Sequence, residues 1–112
     1  MHILAWIRRT LIMEFQIPPE PILQKEQWKV ALDKGGGRLN IARASIKQGT
    51  WLTTSLWNDY GWKEELKRKG ITWQKFMSLY RDCYHNFLSW IDGTISWNQA
   101  ISNLIREIER QQ

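Results

Sequence analysis

The chain holds one cysteine, Cys83, and two histidines, His2 and His85, in 112 residues. A lone thiol excludes any internal disulfide and suits a reducing, cytoplasmic compartment. Three such donors also fall short of the four ligands of a closed zinc site, so no metal or other cofactor is expected. Proline is confined to Pro18-Pro19-Glu20-Pro21, which leaves the rest of the chain free to be helical. No apolar run approaches the ~20 residues of a membrane span. The most apolar stretch, Ile3 to Phe15, is interrupted by Arg8, Arg9 and Glu14 and has no small-residue cleavage site behind it. No membrane and no small-molecule ligand is expected as a partner. An amphipathic helix lying on a membrane ranks third among the readings.

Catalytic groups are also scarce. Asp82, Cys83 and His85 stand close in sequence, but on a helix Cys83 points into the apolar stripe while Asp82 and His85 point away. That pattern describes a core thiol and two solvated side chains. Glu64, Glu65, Glu107 and Glu109 sit among charged neighbours and read as surface ion pairs. Nothing resembles the carboxylate set of a nuclease, and no catalytic residue is expected.

Tryptophan, by contrast, is abundant: Trp6, Trp28, Trp51, Trp57, Trp62, Trp73, Trp90 and Trp97. Each ring can bury ~150–250 Å², more than one small domain readily encloses eight times over. Some are core anchors, and others are expected to meet a partner. Hydrophobic residues form 43% and charged residues 24% of the chain, the proportions of a globular domain and not of a disordered one. One domain over residues 1–112 is expected.

Periodicity predicts a compact all-α bundle of five or six helices. Ile3, Ile7 and Leu11 recur every four residues and predict a helix over 3–16, which begins almost at Met1. The proline run predicts an extended link, and Pro21 suits the first position of a second helix reaching Lys34, with Leu23, Val30 and Ala31 on its apolar side. Gly35-Gly36-Gly37 reads as a hinge. No Gly-Lys-Ser/Thr follows it, so it is not a phosphate loop. A third helix over 38–48 carries Leu39, Ala42 and Ile46, with Gly49 as its left-handed stop. From Thr50 to Gly61 the signal weakens, because Thr53-Thr54-Ser55 lowers helix propensity. Lys63 to Lys69 reads as a short charged helix ended by Gly70. Thr72 is an N-cap, and the apolar stripe from Trp73 to Ile91 predicts one long helix stopped by Asp92-Gly93. That assignment leaves Leu79 and Trp90 facing outward, as candidates for a protein interface. Ser96-Trp97-Asn98-Gln99 is a capping box and opens the last helix.

Charge carries the functional signal. The chain bears a net +5. Lys34, Arg38, Arg43 and Lys47 form a run without an acid. Lys63, Lys67 and Arg68 begin a second basic stretch that also takes in Lys69, Lys75 and Arg81. Arg43 and Lys47 share a helix face, as do Lys63 and Lys67. Such pairs match the repeated charges of a nucleic-acid backbone, DNA or RNA. Trp51, Trp57 and Trp62 lie between the two stretches, where exposed rings could stack on bases. Lys34, Arg38, Arg43, Lys47, Lys63, Lys67 and Arg68 are thus the candidate nucleic-acid-binding residues. The competing reading is a small adaptor or regulatory factor that captures a protein through exposed Trp, with no nucleic acid involved.

A basic all-helical chain of this length, opening Met1-His2-Ile3-Leu4-Ala5-Trp6, resembles the small subunit of Cascade-type CRISPR–Cas effector complexes. The resemblance is one of character over the whole chain, without a diagnostic motif. It implies a chain made by internal translation from the reading frame of a large subunit, and a structural role in CRISPR interference. Copies would contact one another and other subunits of the complex and stabilise an R-loop through basic residues.

Overall fold

The computed structural model describes residues 15–33 and 49–111, the backbone alone at 31–33. These residues form an all-α bundle with six helical segments and no strand among them. The segments are α1 (Ile22–Asp33), α2 (49–59), α3 (Trp62–Arg68), α4 (Trp73–Asp82), α5 (His85–Ile91) and α6 (Trp97–Glu109). The helices expected over 3–16 and 38–48 lie outside the described residues, apart from Phe15 and Gln16, which are not helical.

The proline run is extended, as its chemistry requires, and residues 16–21 carry no helix. Pro21 sits just before α1, where its carbonyl accepts from the Lys25 N–H at 2.9 Å. Two buried indoles hold this linker down. Trp62 Nε1 donates to the Gln16 carbonyl at 2.9 Å, and Trp97 Nε1 donates to the Pro18 carbonyl at 2.6 Å. A linker without ladder partners needs donors for its carbonyls, and buried indoles need acceptors; each satisfies the other.

Segment 49–59 is helical despite Thr53-Thr54-Ser55. Leu52 and Leu56 are fully buried on its inner face, each contributing ~1.5–3 kcal/mol of burial, which outweighs a few tenths per residue of poor propensity. Thr53 is buried too, and its hydroxyl donates to the Gly49 carbonyl at 2.7 Å. Gly49 is itself helical and has no positive φ, which corrects its reading as a left-handed stop. Its small size serves a close approach: an added Cβ would lie 2.6 Å from Cε1 of the buried Tyr80 ring.

The stripe from Trp73 to Ile91 is carried by two helices and not by one. Thr72 caps α4 as expected, its hydroxyl accepting from the Lys75 N–H at 3.1 Å. At Cys83 the backbone leaves the helix with φ −124°, and α5 starts at His85. No Pro or Gly stands at the break. Asn86 secures it: its amide donates to the Cys83 carbonyl at 3.1 Å and its Oδ1 accepts from Asn103 of α6 at 2.9 Å. The break re-phases the stripe. Helix α4 buries Phe76, Leu79 and Tyr80, while α5 buries Phe87, Trp90 and Ile91. Ser96 caps α6 by accepting from the Gln99 N–H at 3.1 Å. The reciprocal half of the capping box is replaced by a bond from Gln99 Nε2 to Asn103 Oδ1 at 2.8 Å. Trp97, Ala100, Ile101, Leu104 and Ile108 then face the core, where α6 packs on α4 and α5, and α1 packs on α5.

Gly49→Ala should lower stability by ~1–3 kcal/mol, the usual range for overpacking, although alanine is the better helix former by about 1 kcal/mol. Urea unfolding of the two proteins measures it; a stabilised variant would disprove the close approach.

Candidate nucleic-acid interface

Helix α3 carries the described part of the cationic signal. Gly61, at φ 75°, turns the chain out of α2, and Gly70, at φ 77°, ends α3. The ending is a Schellman motif: Ile71 N–H reaches the Leu66 carbonyl at 2.8 Å and Gly70 N–H reaches the Lys67 carbonyl at 3.0 Å. Leu66 and Ile71, both buried, supply the hydrophobic contact that accompanies it. These two turns fix which way α3 faces. Trp62 and Leu66 are fully buried, while Lys67 and Arg68 are exposed and Lys63 is half-buried.

The three cations expected to act together are divided. Glu65 is buried, 7% exposed, and not a surface residue. Its carboxylate pairs with Arg68 of the same helix and with Lys69 Nζ at 3.5 Å. A carboxylate this buried needs cations beside it, so Arg68 answers a structural demand. Lys63 and Lys67, one turn apart, have no acid within ion-pair distance among the described residues. Lys34, Arg38, Arg43 and Lys47 lie outside the described residues. In sequence, the net +5 is carried by residues 1–14 and 34–48; the rest of the chain balances its charges.

The tryptophans sort into two rings-on-rings clusters. In one, Trp62 meets Phe15 at 4.8 Å and Phe76 at 6.0 Å, and Trp57 meets Trp73 at 5.1 Å and Phe76 at 6.1 Å. In the other, Trp97 meets Trp90 at 4.7 Å, Trp90 meets Trp28 at 6.4 Å, and Trp28 meets Trp51 at 5.4 Å. Trp62 is therefore core and not a base platform. Trp57 is half-buried, and Trp51 is 37% exposed.

The two residues expected at a protein interface are inside. Leu79 is 2% and Trp90 0% exposed. Leu79 lies three residues after Phe76 on the inner face of α4, and the break at Cys83 rotates Trp90 onto the inner face of α5. Lys25 Nζ sits 5.5 Å from the Trp90 ring centre, a cation–π contact. The Trp90 indole N–H has no acceptor among the described residues. The exposed apolar surface lies instead on α1, where Leu23 is 76% and Val30 53% exposed beside Ile22. Periodicity places both on the packed side of this helix, and the structure turns them outward. The packed side is marked instead by half-buried Lys25 and Trp28, a pairing that hydrophobicity alone ranks below leucine and valine.

A cavity of about 460 Å³ opens between the linker and the start of α6, lined by Ile17, Pro18, Pro19, Glu20, Ser96, Trp97 and Asn98. Its wall has no cluster of titratable groups. Among the described residues no group of His, Cys, Asp and Glu could hold a metal ion, and no helix is long and apolar enough to cross a membrane. No family model, curated protein or solved structure matches the chain.

Asp82 and His85 are exposed and Cys83 is buried, as expected, although the helix breaks between them. The Cys83 thiol donates to the Leu79 carbonyl at 3.2 Å. Burial, and then the Glu107 carboxylate, push this thiol up to about 11, with Asp82 adding a little and the Asn86 hydrogen bond opposing. In the unfolded chain the thiol ionises near its ordinary 9.0. Its contribution to stability is therefore complete below about pH 9 and lost as pH rises towards 11. Cys83 should resist a thiol reagent such as DTNB at pH 8 in the native protein and react at once in urea. Rapid native labelling would contradict its burial.

Proposed function

We propose that the chain is a non-catalytic subunit of a nucleic-acid-containing assembly and holds phosphate backbones through cationic helix faces. One observation carries this reading: α3 presents Lys63 and Lys67 one turn apart on the face that adjoins its buried Trp62 and Leu66. Their Cβ atoms stand ~5–6 Å apart, within reach of neighbouring phosphates of one strand. Neither ammonium is held by an acid among the described residues, whereas Arg68 and Lys69 are held by Glu65. The acid-free run Lys34, Arg38, Arg43, Lys47 supplies the larger share of the charge. Backbone contacts of this kind bind without reading sequence. The finer reading, a small subunit of a Cascade-type effector stabilising an R-loop, rests on the overall resemblance in size, charge and helical character.

A second reading keeps one specific observation in its favour. Ile22, Leu23 and Val30 form an exposed apolar face on α1, and such faces mark protein contacts. It would make the chain an adaptor, through aliphatic residues and not through Trp90.

Lys63→Glu/Lys67→Glu and Arg43→Glu/Lys47→Glu should each weaken binding to a fluorescent DNA duplex. Each lost phosphate contact should also make the slope of log K against log salt shallower by about one. Fluorescence anisotropy across a salt series measures both. Parent-like affinity in both double variants would remove the basic faces from the account. Loss of a protein partner on Leu23→Asp, with those variants silent, would favour the adaptor.

A further inference from the structure

We infer that the outer face of α2 is a stacking platform for an unpaired nucleobase, with Trp51 as the stacking ring. The inference rests on the nucleic-acid reading above and names the form of nucleic acid it suits: a single strand. Trp51, Thr54 and Asn58 stand at i, i+3 and i+7, so they share one helix face, and all three are exposed. Ser55 and Asp59 follow at i+4 and i+8 along the neighbouring edge, where the Asp59 carboxylate accepts from the Ser55 hydroxyl at 3.4 Å. A hydroxyl and a carboxamide beside a ring give a stacked base polar partners.

The ring is also held ready. Trp28 packs against it in a T-shaped contact at 5.4 Å, and Trp28 is itself braced by the buried Trp90. A ring fixed before binding loses little conformational freedom when a base lands on it. The fold leaves it 37% exposed while it encloses Trp62, Trp90 and Trp97 almost completely. Charge complementarity selects the occupant. The acid-free basic run ends at Lys47, four residues before Trp51 in sequence, and exposed Lys29 follows Trp28 on α1. Tyr84, also exposed, lacks such a setting, because no ring contact braces it among the described residues.

The test uses the full chain and three labelled probes of about 15 nucleotides, near the upper end of single-strand site sizes: oligothymidylate, an abasic strand of equal length, and a duplex. Trp51→Ala should weaken oligothymidylate binding by about 5- to 150-fold, the equivalent of ~1–3 kcal/mol for one base–aromatic stack. It should leave the abasic strand and the duplex within about twofold, since those report phosphate contacts. Trp51→Phe should keep most of the affinity. Thr54→Glu, on the same exposed face, should weaken oligothymidylate binding without touching the core; it decides the matter if circular dichroism shows Trp51→Ala misfolded. Oligothymidylate binding unchanged in Trp51→Ala and Thr54→Glu, with the parent binding all probes, would overturn this inference alone. A parent that binds none of the probes would overturn the nucleic-acid reading and the platform together.

Discussion

The indole N–H groups of Trp62 and Trp97 constrain the rest of the fold. Each is buried, each needs an acceptor, and each finds one in a linker whose prolines prevent it from pairing elsewhere. Those two bonds bring residues 16–18 against helices α3 and α6, far away in sequence. They thereby fix where α1 leaves the linker. Without them the linker carbonyls would turn to water and α1 would lose its anchor. The aromatic clusters grow around these two points: Phe15, Phe76, Trp57 and Trp73 about Trp62, and Phe87, Trp90, Trp28 and Trp51 about Trp97. Trp90 is the exception, since its own N–H is buried without an acceptor among the described residues. Its ring is retained by packing and by Lys25.

This arrangement decides what remains for function. An excess of tryptophan invites the reading of a stacking or hot-spot surface. The fold uses most of the described rings to make a core and tie down a linker, and only Trp51 keeps substantial exposure. Charge is divided in the same way, for Arg68 and Lys69 answer the buried Glu65 while Lys63 and Lys67 do not. The function proposed here thus depends on few described groups: two lysines on α3 and one braced ring on α2.

Local chemistry was legible where one residue has one job. Thr72 and Ser96 cap helices because a hydroxyl before an apolar repeat has few better uses. Gly70 and Gly93 stop helices at positive φ. The extended prolines and the buried Cys83 followed from equally local rules. What depends on partners distant in sequence was not legible. The stripe from Trp73 to Ile91 reads as unbroken because its spacing survives the interruption at Cys83; only Asn103 of α6, acting through Asn86, reveals the break. Trp90 was misplaced for that reason, whereas Leu79, three residues after Phe76, lies on the inner face of the unbroken α4. The side of α1 that packs was misread because Lys25 serves it through a ring face. The helix at 49–59 was faint because its support comes from the burial of Leu52 and Leu56, which propensity does not contain. Of the candidate site, the α3 cations were found by charge alone, but the demand of Glu65 on Arg68 required knowing that Glu65 is buried.

The division of the tryptophans into structural rings and one binding ring is the central claim, and the indole N–H signals of a ¹H–¹⁵N spectrum test it most directly. Recorded in D₂O and again with oligothymidylate added, the spectrum should show the Trp62, Trp90 and Trp97 indoles protected from exchange and unmoved by the strand, while the Trp51 indole exchanges quickly and shifts. Rapid exchange at Trp62 and Trp97, or a strand-induced shift there with Trp51 unmoved, would contradict the account.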